Sequence, residues 1–444
     1  MHDGAHVHTV KQEYLDLHRR LEKAPIGAPA RPAFFAILEE LFTPEECRVA
    51  AAIPMRPASA KRIAGIAGMG VARVNEVLDV LVRKGLVVDL HKPSGGVYYF
   101  LNPPVIGFFE FTMMRIRDDV DQAKVARLMK EYFYEDPELA FLRMLNDAPT
   151  FIARPLVHQD AVPPEQFSEI LDEDRASEVV DSAGRWSEGL CHCRHVARHT
   201  GRPCVHPEGH CLALGMGVEY LVRAGIAKRI DKARAREVLA YSRDNGLVMM
   251  ADNVKRKPTF ICNCCGCCCE MLHGIRMLKD MRHAVVTSGW VASPSDEGCN
   301  GCGACASACP IEAIDVVPAT ASGEQPKRKK RAVVRGELCL GCGVCKRACK
   351  RGSMTMRRLP ARVRTPETMM EKMMVQALER GKLQHLLFDD PSRLSHRVLG
   401  AFVGMALNAP PARRYLLRDN VKSRFVKMLS EATFKSPAGW VAKL

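Results

Sequence analysis

Apolar positions along the chain fall into short helical and alternating runs with sharp stops between them. Phe34, Phe35, Leu38, Leu41 and Phe42 recur at helical spacing within residues 33–55 and predict a helix there. A second helix is predicted to start at Thr43. Thr-Pro-Glu-Glu supplies a cap, a proline in the first turn, and Glu46 where it can close a capping box. Cys47, inside that helix, reads as a core thiol. From 59 to 101 the order is a short helix (SAKRIAGIAG), a GMG turn and a second helix (VARVNEVLDVLVRKG). The second helix puts Val74, Val77, Leu78 and Leu81 on one face and stops at Gly85. Two β-rich runs, LVVDLH and VYYFL, follow, joined by the hairpin signal KPSGG.

Residues 106–185 are mixed. GFFEFTMM is apolar, DDVDQAKVARLMKEYFYED predicts a helix, AVPPEQ marks a loop, and nothing there carries chemistry. Further on, DKARAREVLAYSRDNG predicts a helix, LVMMADN a strand, and PTFICNC a second strand. From Gly266 onward CCCEMLHGIRML predicts a helix with Met271, Leu272, Ile275 and Leu278 buried. Residues 359–444, beginning LPARVRTPETMMEKMM, read as helices whose Met and Leu residues pack in a core or against a partner. The expected fold class is α+β and multidomain. Its segments are 1–105, 106–185, a Cys-rich α+β segment at 186–290, 291–358, and a helical region at 359–444.

A chain of 444 residues, 47% hydrophobic and 26% charged, has the composition of a globular protein of two to four domains. No run of 18 apolar residues marks a transmembrane helix. The first twenty residues, MHDGAHVHTVKQEYLDLHRR, are too polar for a secretory signal, so a cytoplasmic location is expected. In a reducing compartment 19 cysteines point to metal or redox chemistry rather than disulfides. The formal charge of +15 fits nucleic acid or an acidic protein partner, and equally fits compensation of negatively charged thiolate centres.

The cysteines are strongly patterned. Cys299, Cys302, Cys305 and Cys309 follow C-x2-C-x2-C-x3-C, with Pro310 after; Cys339, Cys342, Cys345 and Cys349 repeat that spacing. GCGAC stands against GCGVC as an internal repeat. The pair resembles the bacterial two-cluster ferredoxin module. That resemblance implies two [4Fe–4S] clusters whose fourth ligands cross over. Cys299, Cys302, Cys305 and Cys349 would then hold one, and Cys339, Cys342, Cys345 and Cys309 the other. The second motif departs from the pattern by ending Cys349-Lys350 instead of Cys-Pro. Lys346, Arg347, Lys350 and Arg351 flank it, and the basic run KRKKR at 327–331 separates the motifs. Positive charge beside a cluster favours its reduced form and fits an acidic electron carrier, whereas the 327–331 run by itself reads as a solvated loop.

Ten more cysteines form two runs. Cys191, Cys193, Cys204 and Cys211 make the first; Cys262, Cys264, Cys265, Cys267, Cys268 and Cys269 make the second. Adjacent positions on a helix point about 100° apart, so Cys267, Cys268 and Cys269 cannot all face one centre. The ten are expected to supply at least one additional iron–sulfur centre drawn from both runs. The alternative is zinc, with His192, His195, His206 and His210 available for a mixed Cys/His site.

Two wider resemblances follow. The helix–turn–helix–hairpin of 59–101 resembles a winged helix, which implies DNA binding or protein docking. Lys61, Arg62, Arg73, Asn75 and Lys92 are candidate contacts, with Glu76 and Asp79 opposing phosphate. The whole order, with LCHCRH, PEGHCLALG, FICNCCGCCC and the paired motifs, resembles prokaryotic proteins known as 4Fe–4S dicluster-domain proteins. That resemblance implies cluster binding and electron transfer but no substrate. Three functions are therefore expected in order: a cytoplasmic electron-transfer protein or oxidoreductase subunit, a redox-responsive DNA-binding regulator, and a reductase with catalysis in 186–290. The chain carries no glycine-rich nucleotide loop or flavin fingerprint, which favours the partner-dependent role.

Overall fold

The Thr43 hydroxyl accepts from the Glu46 amide at 3.3 Å, and Glu46 Oε2 accepts from the Thr43 amide at 2.8 Å, so the helix Pro44–Ala51 starts on a closed capping box. This computed structural model describes residues 10–147, 149–278, 287–295, 298–319, 330–360, 365–390 and 393–434. Of the KRKKR run, positions 327–329 lie outside the described residues. The chain divides into two units: 1–112, 116–144 and 374–444 form the first, and 113–115 with 145–373 the second.

In the first unit, the helices Ala60–Ala67 and Val71–Lys84 precede β1 (Val87–His91) and β2 (Val97–Leu101), which pair antiparallel from Val87↔Leu101 to His91↔Val97. Val74, Val77, Leu78 and Leu81 are buried, as their spacing predicts. Cys47 is fully buried, and that burial, with Glu46 adjacent, pushes its thiol well above the usual range. Arg73 is exposed but held by Glu45 and Glu76, each at 2.6 Å. Arg62 reaches Asp390 at 3.3 Å and Asp389 at 3.5 Å. Toward the C-terminus the described residues form the helices Leu383–Leu387, Leu394–Asn408, Pro410–Leu416 and Asp419–Phe434, and Leu394–Asn408 exposes Leu394, Val398, Phe402 and Met405.

The second unit is built on a six-stranded antiparallel sheet. Its strands are β3 (Ala153–Pro155), β4 (Trp186–Gly189), β5 (Cys211–Leu214), β6 (Ala227–Ile230), β7 (Val248–Asp252) and β8 (Phe260–Cys264), in the order β3-β7-β8-β5-β4-β6. One face carries Leu212, Leu214, Met249, Ala251 and Ile261 into a core with the helices Ala176–Ser182 and Lys232–Asp244. Side chains alternate across a strand, so Cys262 and Cys264 share the other face. The Leu212↔Ile261 register continues to set Cys211 opposite Cys262.

The rest of the unit is a pseudo-symmetric repeat. β9 (Trp290–Pro294) pairs with β12 (Met354–Arg358), and β10 (Ile314–Pro318) with β11 (Lys330–Val334). The short helices Ala304–Ala308 and Val344–Ala348 stand at equivalent places. Gly301 and Gly341 both take positive φ, 69° and 70°. A Cβ at 301 would stand 2.5 Å from Lys330 backbone, and one at 341 would stand 2.3 Å from Trp290 O, so both turns demand glycine.

The helix expected from Gly266 begins four residues later, at Glu270. Residues 266–268 form a turn instead, and Met271 and Leu278 are only partly buried, while Leu272 and Ile275 are core. The turn lets successive cysteines diverge more sharply than a helix would. Among the described residues no helix is long and apolar enough to cross a membrane.

Candidate metal centres

The structure gathers the eight cysteines of the repeat into two groups. Cys299, Cys302, Cys305 and Cys349 line one small cavity, together with Gly301, Gly303 and Arg351. Cys309, Cys339, Cys342 and Cys345 line another, with Pro310, Ile311 and Leu340. The fourth cysteine of each motif thus lies with the first three of the other. Their walls are apolar: Ala292, Ile314, Ala332, Met354 and Met356 pack around them. Backbone amides point at sulfur, from Ala332 to Cys299 Sγ at 3.4 Å and from Ala313 to Cys309 Sγ at 3.2 Å. Burial pushes the thiols of Cys305, Cys309 and Cys345 up, and Cys342 to about 12. Burial raises Cys349 as well, but the Ser353 hydroxyl and nearby amides outweigh it and hold that thiol below its usual value. Cys302 is the exposed member, so the first group lies nearer solvent. An all-thiol set against apolar walls, with amides aimed at sulfur, is the donor chemistry a [4Fe–4S] cluster requires.

The ten remaining cysteines also form two groups, and these cut across the two sequence runs. Cys204, Cys265, Cys267 and Cys268 hold their sulfurs within 4.8 Å of one another. The other six form a contact string: Cys191 with Cys193, Cys193 with Cys269, Cys269 with Cys264, Cys264 with Cys262, and Cys262 with Cys211. Cys191 and Cys193 come from the start of the helix His192–His199, and the others from the sheet face and the 265–269 turn. The Glu270 amide, opening its own helix, donates to Cys193 Sγ at 3.4 Å. Hydrogen bonds set the charge pattern along the string. Cys211 holds Cys262 low and Cys193 holds Cys269 low, while Cys191 drives Cys193 high and Cys262 drives Cys264 high.

Arg194 stands between the two groups and was missed in the sequence, where nothing in C-H-C-R-H distinguishes it from a surface arginine. Its side chain is 1% exposed. It donates to Pro207 O at 2.8 Å and Asn263 O at 2.7 Å. Burial works against its charge, but the sulfurs of Cys191, Cys265 and Cys204 outweigh that and hold the guanidinium above its ordinary value. The reciprocal effect appears at Cys265. A hydrogen bond with Cys268, then the charge of Arg194, bring this thiol down to about 4 against its burial. The four histidines considered as ligands lie outside the four-sulfur group. His195 Nδ1 bonds Met113 O at 2.6 Å, and His206 Nδ1 bonds the Tyr241 hydroxyl at 3.2 Å.

The Cys-rich turn abuts the repeat. A Cβ on Gly266 would stand 3.2 Å from Cα of Pro310, the residue after Cys309. Arg276 Nη1 donates to both Gly266 O and Pro310 O. A second bridge runs through His158. Its amide donates to Cys342 O at 3.0 Å and its Nε2 meets Leu247 O at 2.8 Å, while Leu247 packs with Cys265 and Cys268.

Residues 298–353 match the family model described as a 4Fe-4S dicluster domain. That match, with the two cysteine groups of the repeat, supports an iron–sulfur protein. The chain otherwise matches no curated protein and no solved structure.

Proposed function

We propose that the protein is an electron-transfer protein, or an oxidoreductase subunit, that relays low-potential electrons between a redox donor and an acidic carrier. When bound, [4Fe–4S] clusters would supply reversible one-electron chemistry. Cys299, Cys302, Cys305 and Cys349 would hold the first, and Cys339, Cys342, Cys345 and Cys309 the second. The string of Cys191, Cys193, Cys211, Cys262, Cys264 and Cys269 would hold a third iron–sulfur centre, because six neighbouring sulfurs exceed what one tetrahedral ion can use.

The observation that carries this reading is the contact between Gly266 and Pro310. It brings the Cys-rich turn directly against the loop of Cys309, so no intervening domain separates the thiol-rich region from the repeat. At the other end, Cys302 is exposed beside Arg351, with Lys350 also exposed. Arg347 is already engaged by Asp160. Lys350 and Arg351 therefore supply the docking charge near the accessible cysteine group.

The experiment is reduction of an acidic ferredoxin-type acceptor by the anaerobically reduced protein. The rate should fall steeply with ionic strength, and Lys350→Glu with Arg351→Glu should slow it about tenfold or more while the iron content holds. An unchanged rate in that variant, at every salt concentration, overturns the docking face.

A further inference from the structure

We propose that Cys204, Cys265, Cys267 and Cys268 hold a single tetrahedral divalent cation, zinc, in a closed structural site separate from every iron–sulfur centre. The argument is the spacing of sulfurs. Cys204 Sγ lies 3.5 Å from Cys267 Sγ and 3.6 Å from Cys265 Sγ, and Cys268 Sγ lies 3.6 Å from Cys267 Sγ. Four thiolates around one zinc at about 2.3 Å must stand about 3.8 Å apart along the edges of the tetrahedron. On a cubane each cysteine binds a different iron at a different corner, and the sulfurs stand on the order of 6 Å apart. The four-sulfur group has the first spacing and not the second.

The repeat provides an internal comparison. All eight of its cysteines are among the described residues, and no three of them bring their sulfurs within 4.8 Å of one another. The same fold thus carries wide cysteine groups where the family model places clusters and one narrow group where it places nothing. Disulfides do not account for the narrow group, because an S–S bond is about 2.05 Å long and these cysteines are free.

The surroundings suit a resident cation. Cys265, Cys267 and Cys268 come from one tight turn, and Cys204 from the loop after the helix His192–His199. One ion would staple the two. Ala197, Leu247 and Tyr241 pack with Cys204, Cys265 and Cys268 on one side, and Cys267 faces solvent. Four thiolates around a divalent ion leave a net negative charge, and the Arg194 guanidinium supplies a buried counter-charge at Cys265. Thiolate-rich tetrahedral sites bind zinc above ferrous iron in the usual affinity order. With no open position, such a site fixes structure and does no redox chemistry. Its role would be to set the 265–268 turn, so that Cys262, Cys264 and Cys269 meet Cys191, Cys193 and Cys211 in the neighbouring six-sulfur group.

The test uses the full chain, purified anaerobically from zinc-supplemented medium, with metals counted and the zinc X-ray absorption edge recorded. The expected result is about one zinc per chain, bound by four sulfurs at about 2.3 Å. In Cys267→Ser, altered at the exposed ligand, zinc should fall at least tenfold while iron and acid-labile sulfide stay at the parent level. Absence of zinc from the parent protein would overturn the proposal, as would nitrogen or oxygen ligands at its edge. So would a loss of about four iron per chain in Cys267→Ser, since that would make Cys267 a cluster ligand. The edge spectrum needs no variant, so a misfolded mutant leaves the decision intact.

Discussion

Gly266 packs directly on Pro310, so that a Cβ at 266 would stand 3.2 Å from the proline Cα, and Arg276 Nη1 donates to the carbonyls of both residues. One contact therefore joins the turn that carries Cys265, Cys267 and Cys268 to the loop that carries Cys309. Gly266→Ala should overpack this junction and destabilise the protein by about 1–3 kcal/mol. Arg276→Met should leave two part-buried carbonyl acceptors short of a donor and destabilise by about 1 kcal/mol. Denaturant unfolding of the anaerobic proteins measures both. Neutral substitutions would mean that the junction is loose.

Cys302 and Cys342 occupy equivalent places in the repeat but different environments. Cys302 is exposed, whereas burial pushes Cys342 to about 12. Changing either to Ser should remove about four iron. Cys342→Ser should also weaken the other cluster more, because it leaves a polar hydroxyl in the desolvated cavity lined by Ala292, Ile314 and Met356. Iron counts and the spin–spin coupling seen by EPR of the reduced protein report both effects.

Arg194 donates to Pro207 O and Asn263 O while answering the negative charge of Cys191, Cys265 and Cys204. Arg194→Lys keeps a charge but loses the planar fork. It should weaken metal retention by the adjoining thiol groups about 10- to 100-fold, read by competition with a chelator. Arg194→Met should be worse than Lys. Equal loss in both variants would assign Arg194 a packing role only.

In the first unit, burial, with Lys23, Lys382 and Arg20 nearby, lowers His385 to about 4 from an ordinary 6.5. Below pH 6.5 the unfolded chain takes up a proton that the folded chain refuses until about pH 4. Stability should therefore fall as the pH drops from 6.5 towards 4, and this contribution should be flat above 6.5. His385→Gln should remove that part of the slope, as followed by urea unfolding at stepped pH.

Binding of the helix–hairpin segment to duplex DNA should be weak and strongly salt-dependent. Two of its four candidate cations, Arg62 and Arg73, already answer carboxylates, and Glu76 and Asp79 share the exposed face of the Val71–Lys84 helix. Fluorescence anisotropy across a salt series gives the slope. A nanomolar, sequence-specific footprint at physiological salt would instead support a DNA-binding regulator.

Local features were readable in the sequence because local chemistry determines them. The capping box at Thr43, the hairpin joined by KPSGG and the repeated motif of 299–349 each depend on residues a few positions apart. The sorting of the other ten cysteines was not readable. It depends on β5 lying beside β8 in a register that sets Cys211 opposite Cys262, and on the turn at 266–268. The expected helix at 266 would have misdirected Cys268 and Cys269. Cys204 belongs by sequence with Cys191 and Cys193, yet its sulfur sits with Cys265, 61 positions away. Only the folded sheet could reveal that.

The most direct measurement is iron and acid-labile sulfide per full-length chain after anaerobic purification, with EPR of the dithionite-reduced protein. The account predicts more than about eight iron per chain, and coupled signals from neighbouring reduced clusters. Iron near zero after anaerobic isolation and reconstitution, with no reducible signal, would contradict it.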